Sequence, residues 1–151
     1  MKTYLTLAAG MISLSLGGSG HAATLGNCVP TATKYIGDTS ARSINEATFK
    51  AIPATTVNFV QKTAGCVIVT FTTRLGGDSG NFQIKPILIG QPAAIVFPSS
   101  PSSYEFPETR SLTAQFIFHN VAAGEQSVRM QWWTDSMIDT SDTLVAVQYI
   151  K

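Results

Sequence analysis

Apolar residues recur at every second position along most of the chain, and a repeat of three to four is hard to find. Such alternation places one set of side chains on each face of a half-buried strand. The clearest case runs from Ser111 to His119, with Leu112, Ala114, Phe116 and Phe118 on one face and Ser111, Thr113, Gln115, Ile117 and His119 on the other. Gln126 to Thr134 follows, with Val128, Met130 and Trp132 in phase and Arg129, Gln131 and Trp133 out of phase. The short Gly-containing stretch Ala122-Ala123-Gly124-Glu125 predicts a hairpin-type connection between them. Thr143 to Ile150 predicts a third, Val-rich strand, reached through a connection at Asp135–Asp142.

Upstream the same reading gives strands at Thr55–Lys62, Gly65–Arg74, Asn81–Ile89 and Ala93–Phe97, and weaker ones at Thr31–Ile36 and Ala47–Ile52. Pro86 lacks a ladder donor, so Asn81–Ile89 is expected to be an edge or bulged strand. The Pro- and Ser-rich stretch from Pro98 through Tyr104 to Pro107 predicts a long exposed loop. The expectation is an all-β jelly roll, or a related antiparallel sandwich, of about eight strands. No internal repeat and no second domain is evident.

The first residues break this pattern. Lys2 precedes an uncharged apolar run from Tyr4 to Leu16, and Gly17-Gly18-Ser19-Gly20 and His21-Ala22-Ala23 follow. That is the three-part pattern of a secretory signal peptide, so residues 1–22 are expected to be removed and residues 23–151 to form one domain. The apolar run is shorter than the ~20 residues a spanning helix needs, so no membrane insertion is expected after cleavage. Asn27 before Cys28 is a poor fit to a lipoprotein box. Secretion or a periplasmic location follows, and with it an oxidising compartment. There Cys28 and Cys66 are expected to form a disulfide. Its loop of about 39 residues is worth on the order of 3–4 kcal/mol in the chain-entropy account.

Charge changes the picture mainly by exclusion. The chain carries a formal +1, and Lys2 is the only charge in residues 1–22, so the expected mature chain is neutral. A neutral chain without a basic run argues against nucleic acid as a partner.

Several strings invite a catalytic reading. Gly77-Asp78-Ser79-Gly80 matches the sequence around the nucleophile of trypsin-like proteases. That chemistry needs a His and an Asp upstream, whereas the one histidine after residue 22, His119, lies downstream. The string reads instead as a turn. His119 has no second ligand at zinc spacing and reads as a surface histidine at a strand end. Asp135, Asp139 and Asp142 form an oxygen-rich run without calcium-loop spacing. Glu105 and Glu108 would need a distant partner to act as acid and base. The chain is therefore expected not to be an enzyme, and no cofactor or metal is implied. Trp132 is expected in the core, and Trp133 outside it beside Gln131 and Arg129, where an aromatic ring can stack on a sugar or anchor an interface. These three, with Tyr104 from the Pro/Ser stretch, are the candidate contact residues for a ligand that the sequence leaves unknown.

The run Phe116-Ile-Phe-His-Asn-Val121-Ala-Ala-Gly124-Glu-Gln-Ser-Val128-Arg-Met-Gln131-Trp132, with Leu144-Val-Ala-Val147 after it, resembles small exported bacterial proteins. In these a Val-x-x-Gly turn leads into a Val-x-x-Gln-Trp strand and a final Val-rich strand. The pattern is similar to the closing strands of C1q/TNF-like jelly rolls. The resemblance implies a binding or structural role and a homo-oligomer, commonly a trimer. The single disulfide and the Tyr-containing end Gln148-Tyr149-Ile150 also resemble fimbrial pilin subunits. Those subunits complete a neighbour's sheet with an N-terminal extension, for which the few residues before Cys28 leave little room.

Overall fold

The computed structural model describes residues 28–77, 80–91, 95–106 and 110–151. The expected signal peptide and its cleavage site lie outside these residues. The strands are β1 (Ala32–Asp38), β2 (Arg42–Ile44), β3 (Lys50–Ala51), β4 (Val57–Gln61), β5 (Gly65–Gly77), β6 (Gly80–Ile89), β7 (Ile95–Phe97), β8 (Ser102–Phe106), β9 (Arg110–Val121), β10 (Gly124–Thr134) and β11 (Ile138–Tyr149).

They form two sheets, and every pairing is antiparallel. The larger runs β1-β11-β5-β9-β7, with β2 also on β11; the smaller runs β3-β10-β6-β8, with β4 also on β10. Since β1 and β2 share one partner, and β3 and β4 another, each pair is one interrupted strand. With β7 as a short addition, the expected eight strands are recovered in jelly-roll order. From β4 onward each successive strand lies in the opposite sheet.

That alternation corrects the expected hairpin at Ala122–Glu125. β9 and β10 belong to different sheets, so the connection is an arch over the end of the sandwich. Its backbone groups find glutamine side chains instead of a ladder. Gln126 Nε2 donates to the Ala122 carbonyl at 2.9 Å, and the Ala122 N–H donates to Gln91 Oε1 at 3.2 Å. Gln91 Nε2 donates to Gln126 Oε1 at 2.7 Å, and Gln61 Nε2 to the Val121 carbonyl at 3.0 Å. Gly124, at φ +110°, takes the backbone into β10 in a conformation that disfavours a side chain.

Two other expectations are corrected. The Pro/Ser stretch is not loop throughout, because β8 occupies Ser102–Phe106 and pairs with β6 from Gly80 to Ile84. The flanking Pro101 and Pro107 hid a strand with few apolar residues. The acidic run is likewise mostly strand. β11 begins at Ile138 and pairs with β2 and β5, with Ile138 and Thr140 buried. A bulge between Ser141 and Leu144 interrupts it, where Asp142 sits at φ +51°. Buried Thr73 stabilises that bulge, its hydroxyl donating to the Ser141 carbonyl at 3.1 Å. Pro86 is accommodated as expected: β8 ends its pairing at Ile84, so β6 is an edge strand at the proline.

The core consists of the inward positions of both sheets, among them Phe71, Phe116, Val145 and Val147 facing Phe82, Ile84, Met130 and Trp132. Phe59 and Tyr149 stack across the layers with ring centroids 4.8 Å apart. The Cys28–Cys66 disulfide ties the described N-terminus to the start of β5.

Replacing Gln126, which is 6% exposed, by Met leaves the Ala122 carbonyl and the Gln91 amide without partners. Such losses cost about 1–3 kcal/mol. Urea denaturation is expected to show that loss with an unchanged β-sheet circular dichroism spectrum.

Candidate functional site

With alternate residues committed to the core, function falls to the outward positions, and the two sheets present different outer faces. On β10 the buried set Gln126, Val128, Met130, Trp132 and Thr134 leaves Ser127, Arg129, Gln131 and Trp133 facing outward. The expected separation of Trp132 and Trp133 is therefore present, with Trp132 only 4% exposed. The β10–β6 register sets Trp133 beside Gln83, Gln131 beside Lys85, and Arg129 beside Ile87. β8 adds Ser103 next to Gln83.

Trp133 is half-buried rather than free-standing. Its Nε1 donates to the Ala47 carbonyl at 2.9 Å, so the 45–49 segment draws the indole against the sheet. That segment also brings Phe49, whose ring lies 4.0 Å beneath the Lys85 ammonium. Phe49 and Lys85 were invisible as site residues in the sequence, because nothing local signals that strands β3 and β6 flank β10. Among the described residues, the side chains of Gln83, Gln131 and Arg129 make no hydrogen bond or ion pair, and Arg129 Nε is buried. Tyr104 does not join this group. It pairs with Phe82 on the inner face and packs against the core from β8.

Beyond Ser127 the face runs into an open cavity of about 430 Å³, lined by Lys34, Asn58, Val60, Ile89, Glu125 and Ser127 among others. Lys34 Nζ crosses the sandwich edge to the Asn58 carbonyl at 3.1 Å. A smaller cavity of about 250 Å³ lies between Arg74, Gly76, Asp139 and Ser141.

The outer face of the larger sheet is nearly without charge. Register places Tyr35, Ala146, Thr70 and Gln115 in one row, and Gly37, Leu144, Thr72 and Thr113 in the next. A third row runs Thr33, Gln148, Ile68, Ile117 and Phe97. Tyr35 is 76% exposed, Phe97 57% and Leu144 41%. The hydroxyls pair laterally, Thr72 with Thr113 at 3.2 Å. Arg74 on β5 and Asp139 on β11, near one another at one end, are the formal charges among the described outward positions of β1, β5, β7, β9 and β11 that pair across this sheet.

The chemically suggestive residues are dispersed. Asp78 and Ser79 of the Gly77–Gly80 string lie outside the described residues, as does Glu108. His119 is half-buried, opposite Ile95 on the larger sheet, with a buried Nε2 that has no hydrogen-bond partner among the described residues. The three aspartates are each taken up separately. Asp135 accepts from the Asn81 side chain and from its N–H, both at 2.7 Å, fastening the end of β10 to β6. Asp139 accepts from Ser43 and Asp142 from Ser141. The Asn81 side-chain amide first, and its N–H second, hold the Asp135 carboxyl below the usual range. The Arg42 guanidinium, with the Ser40 N–H, lowers Asp38 to about 2.

The fold is thus that of a jelly-roll β-sandwich with one disulfide. No protein-family model matches the chain, and no curated protein matches it. Among solved structures it is similar to the tripod (BppUct-A-L) from the baseplate of bacteriophage Tuc2009, at 11% identity and a TM-score of 0.38, over 99% of this chain and 82% of that one. It is also similar to the C-terminal CBM6 of LamC, a marine laminarinase from Zobellia galactanivorans, at 11% identity and a TM-score of 0.30, over 78% of this chain and 99% of that one.

Asp38 and Asp135 titrate lower in the folded chain than the ordinary 3.8, so their contribution to stability is present above that pH and is lost as pH falls below it, for Asp38 through about 2. Denaturant midpoints measured from pH 6 to pH 2 should fall through this window. The Asp38→Asn, Asp135→Asn double variant should be less stable at pH 6 and show a flatter decline.

Proposed function

We propose that this chain is an exported, non-enzymatic binding or structural domain, and that it self-associates through the outer face of its larger sheet. The observation that carries this reading is the exposed apolar set Tyr35, Leu144 and Phe97 on a sheet face whose paired outward positions carry two opposite formal charges, Arg74 and Asp139. Tyr35 and Leu144 are diagonal neighbours on β1 and β11, Phe97 stands across the sheet beyond Ile68 and Ile117, and exposed apolar groups of this kind favour burial against protein. A second copy suits this face because a nearly neutral surface meets itself without like-charge repulsion, as a symmetric interface requires. The lateral threonine pairing reduces the desolvation penalty of covering the face.

Export rests on the expected signal peptide at residues 1–22 and fits the Cys28–Cys66 disulfide, since such bonds persist in oxidising compartments. Secretion or a periplasmic location in a bacterium follows from the same reading. A trimer is the form that the resemblance to C1q/TNF-like jelly rolls implies.

Light scattering on the chromatographed mature protein tests the reading. An oligomer is expected at micromolar concentration, and Tyr35→Glu or Leu144→Lys should weaken it roughly tenfold or more each. A clean monomer up to high concentration would remove the self-association reading.

A further inference from the structure

The structure points to a second contact surface, and we infer that the outer face of the smaller sheet binds an acidic polysaccharide, a chain of sugars bearing carboxylates. The inference is independent of self-association, and of the proposed function it takes only the binding role.

Four features of this face argue for such an occupant. Lys85 and Arg129 are diagonal neighbours across β6 and β10, and no described carboxylate pairs with either. The Lys85 ammonium rests on the Phe49 ring, which orients it and leaves its hydrogens without an oxygen acceptor. Arg129 offers the terminal nitrogens of a planar guanidinium, which suit a carboxylate, while its Nε is buried. Gln83 and Gln131 present amides without a partner among the described residues, which can both donate to and accept from sugar hydroxyls. Trp133 and Phe49 supply aromatic surface on which a sugar ring can rest.

The shape favours a polymer. From Trp133 to Ser127 the outward residues of β10 extend about 20 Å along one straight strand. The row continues past Ser127 into the cavity beside Ile89 and Val60. The carboxylates of the face stand at its two ends: Glu105 and Asp135 beside Asn81, with Glu46 on the segment that bonds Thr134, at one, and Glu125 at the cavity at the other. The centre is therefore cationic although the expected mature chain is neutral overall. Lys85 and Arg129, and not the bulk charge, would select the ligand.

Affinity electrophoresis and calorimetry of the mature protein with polygalacturonate, against neutral dextran and polyglutamate, test the inference. Polygalacturonate is expected to retard the protein and dextran not to. Lys85→Gln and Arg129→Gln should each lower affinity roughly tenfold. Trp133→Phe, which keeps the ring and loses the Ala47 bond, and Gln131→Ala should lower it less, with unchanged thermal unfolding for Gln131→Ala. Binding should weaken as salt rises from 50 to 200 mM, by about the release expected for two ionic contacts. No retardation by polygalacturonate at low salt overturns the inference. So does undiminished binding by the Lys85→Gln, Arg129→Gln double variant, or equal binding of polyglutamate, which marks a generic anion or acidic-protein surface. Release of new reducing ends from bound polygalacturonate would uphold the surface and overturn the non-enzymatic reading.

Discussion

Everything in this domain depends on burying the inward alternate residues of two sheets against each other. Phe71, Phe82, Phe116, Met130 and Trp132 come from both layers and are all but removed from water. Because the side-chain period of a strand is two, a one-residue slip of β10 would exchange Trp132 for Trp133 and move Arg129 and Gln131 into the core. The apolar core thus fixes the register, and the register places every outward residue. The surfaces considered as functional are by-products of that constraint: their residues are neighbours because their buried partners are.

Three devices complete the sandwich where the ladders stop. Glutamines 61, 91 and 126 satisfy the arch between β9 and β10. Thr73 closes the bulge at which β11 passes from its β2 partner to its β1 partner. Asp135 clasps the start of β6. Each answers the same need, since backbone groups that leave a sheet must find another partner or face water. Two of the devices use residues that resemble catalytic material in the sequence. Asp135 belongs to the acidic run, and Asp142 of the same run is the residue turned to positive φ in the bulge. A structural role thereby accounts for much of what looked like chemistry.

Legibility in the sequence followed physical range. Strands β9, β10 and β5 were readable because their alternation is long and clean, and Trp132 was assigned to the core on that basis alone. The disulfide was readable from compartment and parity. The sheet-to-sheet arch was not, because Ala122–Glu125 has the length and glycine of a hairpin, and only the glutamines, distant in sequence, show otherwise. β8 was hidden between prolines. For the candidate surface, Trp133, Gln131 and Arg129 were foreseeable from one strand's phase. Phe49, Lys85 and Gln83 were not, because their approach depends on which strands flank β10. Tyr104 was grouped with them by composition, and the inward phase of β8 separates it.

The central claim is a division of labour: the neutral outer face meets copies of the chain, and the cationic-aromatic face meets a ligand. Hydroxyl-radical footprinting of the mature protein addresses both faces at once. Raising the protein concentration should protect Tyr35, Phe97 and Leu144, while adding polygalacturonate should protect Trp133 and Phe49 and leave the first set unchanged. Protection of the same residues by both, or of neither set by either, would contradict the account.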